Sequence, residues 1–215
     1  AQSWFSLSRD DQVEALEFAA ARSGRPAHLL EKDIWVVWVL SAIYDSDLAS
    51  KLTFEGGTSL SKVYRIIDRF SEAVDLTYDI RELAADLLKQ GNPIPNSASQ
   101  EKKISNAVRH RLPDWIEATV KPVIAAALAK DGLDVSLTLA GKDRDKLILS
   151  YPAVKTGTGY SAPTIQLEFG ARATGEPHHV QPVACYIAPE IEDITFPVAQ
   201  PLVMAAERTF WEKAT

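Results

Sequence analysis

A chain of 215 residues, 46% hydrophobic and 24% charged, can bury a sizeable core and reads as globular rather than fibrous or disordered. Its formal net charge of −6 argues against a protein drawn non-specifically to nucleic acid, although a local basic groove is compatible with it. The single Cys185 rules out an internal disulfide framework and suits a reducing cytosol; no apolar run reaches the roughly 18–20 residues that cross a bilayer, and the opening AQSWFSLSRDD lacks the basic-then-apolar order of a secretion signal.

In chain order, Asp10 or Asp11 is the expected cap of a first helix reaching about Arg22, with Val13, Leu16, Phe18 and Ala20 as apolar members and Gly24 and Pro26 closing it. A second helix spans about 27–44, and LLEKDIWVVWVLSAIY is apolar enough to be largely buried, with Trp35 and Trp38 as core residues. Glu31, Lys32 and Asp33 at its start read as a solvated first turn.

The stretch from Leu52 to Arg81 then changes character twice. Leu52-Thr53-Phe54 is a short apolar strand that meets Gly56-Gly57. Thr58 and Ser59 follow as helix N-cap candidates, and Leu60, Val63, Tyr64 and Ile67 recur at helical spacing. Beyond Asp68-Arg69-Phe70-Ser71 the period becomes two, with Val74, Leu76 and Tyr78 on one face and Ala73, Asp75 and Thr77 on the other. A glycine pair lets backbone approach a ligand closely, a helix N-terminus offers unpaired N–H groups to phosphate, and a neighbouring carboxylate can hold Mg²⁺ against the same phosphates. An ordinary strand-to-helix turn with a solvated Asp gives the same pattern. The stretch is neither Gly-x-x-x-x-Gly-Lys nor Gly-x-Gly-x-x-Gly.

Residues 80–89 read as a helix with Ile80, Leu83, Ala84, Leu87 and Leu88 on its apolar side, followed by a loop through Gly91-Asn92-Pro93 and Pro95-Asn96-Ser97. Helical pattern returns over 99–129, with Pro113 and Pro122 each either starting a helix or kinking one. Lys102, Lys103, Arg109, His110 and Arg111 make this the most basic region, either a solvated face or a surface that steers phosphate-rich ligands. Strands follow at 135–139 and 147–149 around the turn Gly141-Lys142-Asp143, then at 164–169, where Ile165, Leu167 and Phe169 face one way and Gln166 and Glu168 the other. Taken alone, Glu168 is an exposed strand residue. Further strands are expected at 180–187 and 192–196. His178 and His179 are adjacent and would point to opposite faces of a strand, so they read as loop or surface histidines rather than a metal pair. The last helix covers 204–215, with Lys213 reaching water.

The pattern Gly56-Gly57-Thr58 with Asp75 resembles the signature of the DNA polymerase β-type nucleotidyltransferase superfamily, a Gly-Gly-Ser/Thr turn followed by Asp-x-Asp. The wording FEGGTSLSKVY and RFSEAVDL resembles the AbiEii-type toxins of type IV toxin–antitoxin pairs. Asp75 matches the second Asp of that motif, whereas Ala73 stands where the family has the first. Either the natural protein has lost activity or an Asp has been replaced to silence a toxic enzyme, and the intact wording around Ala73 favours replacement. The resemblance implies that Gly56, Gly57, Thr58 and Ser71 hold nucleotide. It implies that Glu168 in LEFGAR is the third carboxylate of a metal cluster, with Arg172 near the nucleotide or in a structural role, and that Lys213 in FWEKAT contacts phosphates. Lys32, in a Glu-Lys-Asp-aromatic wording shared with the family, is a candidate for the edge of the site. The family continues into a helical region with a further functional Asp that these residues do not contain, which implies a cut chain.

The order of elements predicts a mixed α/β (α+β) domain with helices packed on a mixed sheet. The resemblance implies the nucleotidyltransferase fold, with an N-terminal helical pair over 1–50 packed on a nucleotidyltransferase domain over 51–215. It further implies transfer of nucleotide from an NTP to an acceptor, an RNA and particularly a tRNA 3′ end, or a protein side chain. Mg²⁺ or Mn²⁺ would be held by Asp75, Glu168 and the missing carboxylate at 73. A cognate antitoxin is the implied protein partner, in the cytoplasm and away from membranes. The alternative, favoured by Ala73, is a module that keeps the fold, binds nucleotide or antitoxin and has lost catalysis.

Overall fold

The computed structural model of the chain describes residues 1–70, 73–157 and 162–214, with Lys213 described by its backbone alone; Ser71 falls outside the described residues. The elements of its first half are β1 (Gln2–Ser3), α1 (Arg9–Ser23), α2 (Ala27–Tyr44), β2 (Leu52–Glu55), α3 (Gly56–Lys62), β3 (Ala73–Tyr78), α4 (Ile80–Leu83) and α5 (Ala98–Trp115). The second half contains α6 (Lys121–Asp131), β4 (Ser136–Ala140), β5 (Lys146–Ser150), β6 (Thr164–Gly170), β7 (His178–Val180), β8 (Val183–Ala184), β9 (Ile194–Thr195), β10 (Val198–Ala199), β11 (Leu202–Met204) and α7 (Ala206–Ala214).

Among the described residues the main sheet has seven strands in the order β4-β5-β6-β3-β2-β11-β7. β3 lies at its centre, parallel to β6 and antiparallel to β2. The expected mixed α/β architecture is therefore present. Alternation along β3 sends Val74, Leu76 and Tyr78 into the core, where they join Phe54, Leu167 and Phe169. Trp115 of α5 stacks on Tyr78 with ring centroids 3.8 Å apart and meets Phe169 edge-on. Trp35 of α2 stacks on Tyr151 just after β5, and Trp38 donates its indole N–H to Asp131 at 2.8 Å. α2 is buried on every side from Leu30 to Leu40, which explains why its sequence shows no polar stripe.

Several local expectations are corrected. Ser8, not Asp10 or Asp11, caps α1, accepting from the Asp11 N–H at 3.1 Å; Phe18 is exposed, and Ala15, Leu16 and Ala19 form the buried face. Glu31, Lys32 and Asp33 are not a solvated turn, because all three are buried. α3 ends at Lys62, and Arg65 turns the chain in the left-handed region (φ 53°), so Val63, Tyr64 and Ile67 lie beyond the helix despite their spacing. Residues 80–89 break after Leu83 into short 3₁₀ turns. Pro113 sits inside α5, and the missing N–H is followed by a π turn over 116–120 before Pro122 opens α6. The expected strand at 180–187 is split between β7 and β8, and the last helix begins at Ala206 rather than Met204, which ends β11.

Candidate functional site

Strand registry builds the site. Glu55 pairs with Asp75 across β2 and β3, Asp75 with Glu168 across β3 and β6, and Glu168 with Lys146 across β6 and β5. Since paired residues project to the same face of a sheet, these four side chains form one row across four strands. Asp75 and Glu168, both expected at the site, are thus brought side by side. Ala73 is two residues before Asp75 on the same strand and opposite Gln166, so a carboxylate there would share that face.

The glycine turn is shaped around this row. Gly56 has φ +80°, and a Cβ at that position would fall within 2.7 Å of the Asp75 carboxyl carbon. Glycine is required there twice, for its backbone angle and for the space it leaves Asp75. Thr58 and Ser59 do not cap α3. The Thr58 hydroxyl donates to the Ala73 carbonyl at 2.6 Å, and the Ser59 hydroxyl donates to the Gly56 carbonyl at 2.8 Å. Thr58 thereby ties the first turn of α3 to the strand that carries Asp75.

Glu55 is the site residue that sequence reasoning missed. It stands immediately before the glycine pair, and the alternation of β2, with Leu52 and Phe54 buried, already assigns it to the face opposite the core. One carboxylate oxygen, Oε2, is buried with no partner. Burial, with added repulsion from Glu212 and Asp75, pushes its pKa up to about 7 against the opposing Thr77 hydroxyl and Arg208. At the other end of the row, Glu168 Oε1 accepts from Lys146 Nζ at 2.9 Å and from the Gln166 side-chain amide.

A cleft of about 310 Å³ opens beside the row, lined by Glu55, Thr77, Arg109, Asp145, Arg172 and Glu212 among others. Arg172 is exposed at its wall. α7, the helix that carries Lys213, packs against α3 and contributes Glu212 to the cleft. His178 accepts or donates a hydrogen bond with Thr53 at 3.2 Å, and His179 packs edge-on against Tyr64, so the two histidines serve different neighbours.

Behind α3, the buried polar residues of α2 act as anchors. Asp33 is ion-paired with Lys62, the last residue of α3, and accepts the Tyr186 N–H at 2.7 Å; the Lys62 ammonium also lies 3.7 Å from the centre of the Tyr186 ring. Glu31 accepts the N–H groups of Val154 and Lys155 at 2.8 and 3.0 Å. Lys32 lines a small pocket with His28, Tyr151 and Lys155, apart from the carboxylate row.

Among the described residues no three His, Cys, Asp or Glu side chains converge into a preformed metal cage. The row nevertheless fits a hard divalent ion such as Mg²⁺, which takes oxygen ligands and is usually held by one or two carboxylates together with substrate phosphates. The partnerless Glu55 oxygen beside Asp75 is of that donor type.

A mixed sheet with a glycine turn packed onto an Asp-bearing central strand, and a carboxylate in register on the next strand, defines a protein of the nucleotidyltransferase fold. The family model for the nucleotidyl transferase AbiEii toxin of type IV toxin–antitoxin systems matches residues 38–215, and the chain belongs to that family. Among solved structures, the chain is similar to MenT4, the nucleotidyltransferase toxin Rv2826c from Mycobacterium tuberculosis H37Rv, at 15% identity and a TM-score of 0.52. That similarity covers 97% of this chain and 58% of MenT4, so the chain spans somewhat more than half the length of that protein. No curated protein matches the chain.

Proposed function

We propose that the chain carries the nucleotide-transfer site of a metal-dependent toxin that moves a nucleotide from an NTP to an RNA acceptor, with the 3′ end of tRNA as the favoured target. The observation that supports this best is the in-register pair Asp75–Glu168 beside Gly56, whose missing Cβ leaves room for the Asp75 carboxylate. In this reading the first N–H groups of α3, which have no partner within the helix, receive the terminal phosphates over Gly56, Gly57 and Thr58. Asp75 and Glu168 would hold Mg²⁺ or Mn²⁺, with Ser71 and Arg172 on the nucleotide and Lys213 neutralising charge that develops on the phosphates. The chemistry supplied by a bound divalent ion is neutralisation of the triphosphate and a lowered pKa for the attacking hydroxyl. With Ala73 in place of a carboxylate the chain is inactive, and a cognate antitoxin is its protein partner.

The test is Ala73→Asp. The restored protein should be toxic on expression and should transfer labelled nucleotide to RNA, while the chain with Ala73 does neither. A restored protein that binds NTP but labels no RNA or protein acceptor overturns the transferase reading. It would leave the second reading, a nucleotide- or antitoxin-binding module, which the alanine itself favours.

A further inference from the structure

Lys146 is the fourth member of the carboxylate row, and no role for it follows from the glycine turn or from the Asp-bearing strand. Its position is imposed by the β5–β6 register, which sets it opposite Glu168, with Asp75 opposite Glu168 on the other side. The ammonium lies 2.9 Å from Glu168 Oε1, and both side chains are about one-third exposed. Gln166 donates to the same oxygen. Glu168 therefore presents one oxygen already engaged by a cation and an amide. The attraction is not confined to one partner, since the charges of Glu168, Asp145 and Asp75 all stabilise the ammonium.

We infer that Lys146 is a resident counter-ion of the carboxylate row, one that a divalent cation must displace from Glu168 before it can be held between Glu168 and Asp75. The inference rests on the metal-site reading given under Proposed function. A divalent ion beside a fixed ammonium gains less from the two carboxylates than it would in its absence. It also has to break a charge-assisted hydrogen bond, one of the stronger kinds. In the nucleotide-free protein this lowers cation affinity without removing any ligand.

The experiment uses the chain as it stands and Mn²⁺ alone, counted by electron paramagnetic resonance of the free ion. Lys146→Met and Lys146→Gln remove the charge, and Lys146→Arg keeps it. Both neutral variants should bind Mn²⁺ about tenfold more tightly than the parent, an order of magnitude expected for deleting one nearby charge at a partly exposed site. Lys146→Arg should bind like the parent, and adding Asp75→Asn to Lys146→Met should abolish the gain. If Asp75→Asn weakens Mn²⁺ binding but the neutral variants bind no better than the parent, the counter-ion role is overturned and the metal reading stands. A gain that persists in the Asp75→Asn background, or one that Lys146→Arg also gives, overturns it too. If Asp75→Asn changes nothing in either background, the metal reading itself has failed.

Discussion

At Gly56 two costs coincide, a left-handed backbone and an Asp75 carboxylate occupying the space a Cβ would need. Gly132 separates them, because it closes α6 at φ +66° with nothing within 4 Å of its would-be Cβ. Gly132→Ala should therefore cost only the backbone term, about 1 kcal/mol, while Gly56→Ala should cost clearly more, about 2 kcal/mol or above, since Asp75 must move as well. Urea unfolding of the two variants gives the comparison, and equal midpoints would mean that Asp75 yields freely. Glu55 makes a prediction of opposite kind. Its folded pKa of about 7 lies above the ordinary 4.5, so the folded state binds the proton more tightly than the unfolded chain. The resulting stabilisation is complete below about pH 4.5 and is lost as pH rises toward 7. Glu55→Gln removes that loss. Its stability advantage over the parent should grow across this window and level off above pH 7 at up to about 3 kcal/mol, measured as unfolding free energy at fixed temperature. Parallel curves for the two proteins would show that Glu55 does not titrate abnormally.

Among the elements, α3 is a seven-residue helix held at both ends by side chains rather than by its own length. Thr58 ties its start to Ala73, and Lys62 ties its end to Asp33 of α2. The Asp33–Lys62 pair is buried, so breaking it from one side leaves a charge without compensation. Lys62→Met should cost about 3–5 kcal/mol, and Asp33→Leu added to it should recover part of that loss despite freeing the Tyr186 N–H. Thermal denaturation of the single and double variants measures the difference, and additive losses would exclude the pair as a unit. This anchoring also explains what was legible in the sequence. The strands carrying Asp75 and Glu168 follow from their alternating period, and the body of α2 from its long apolar run, because each is a regular element. The end of α3 does not, since Val63, Tyr64 and Ile67 keep helical spacing while Arg65 reverses the chain. The buried Glu31-Lys32-Asp33 segment was equally hidden, because its partners at Val154, Lys155, Lys62 and Tyr186 come from distant parts of the chain. Lys146 belongs to the same class, since no period along β5 reveals that Glu168 is its cross-strand neighbour.

For the molecule as a whole, whether residues 51–215 can fold without residues 1–50 depends on what α2 covers. Ile34, Val37, Leu40 and Ile43 are all fully buried, and the same continuous core takes in Phe54, Val74, Leu167 and Val203 from the central sheet. Fully burying one such side chain is worth about 1.5–3 kcal/mol, so the loss of α2 alone removes apolar burial comparable to the net stability, roughly 5–15 kcal/mol, that holds an ordinary domain together. Deletion also leaves Tyr151 without its stacking partner Trp35 and Lys62 without Asp33. Residues 51–215 expressed alone should therefore fail to form the sheet, whereas adding residues 1–50 as a separate chain should restore it by covering the same face. Amide dispersion in a two-dimensional NMR spectrum distinguishes the cases. A well-dispersed spectrum for 51–215 without its helical partner would show that these residues close their own core, and that α1 and α2 are an accessory layer.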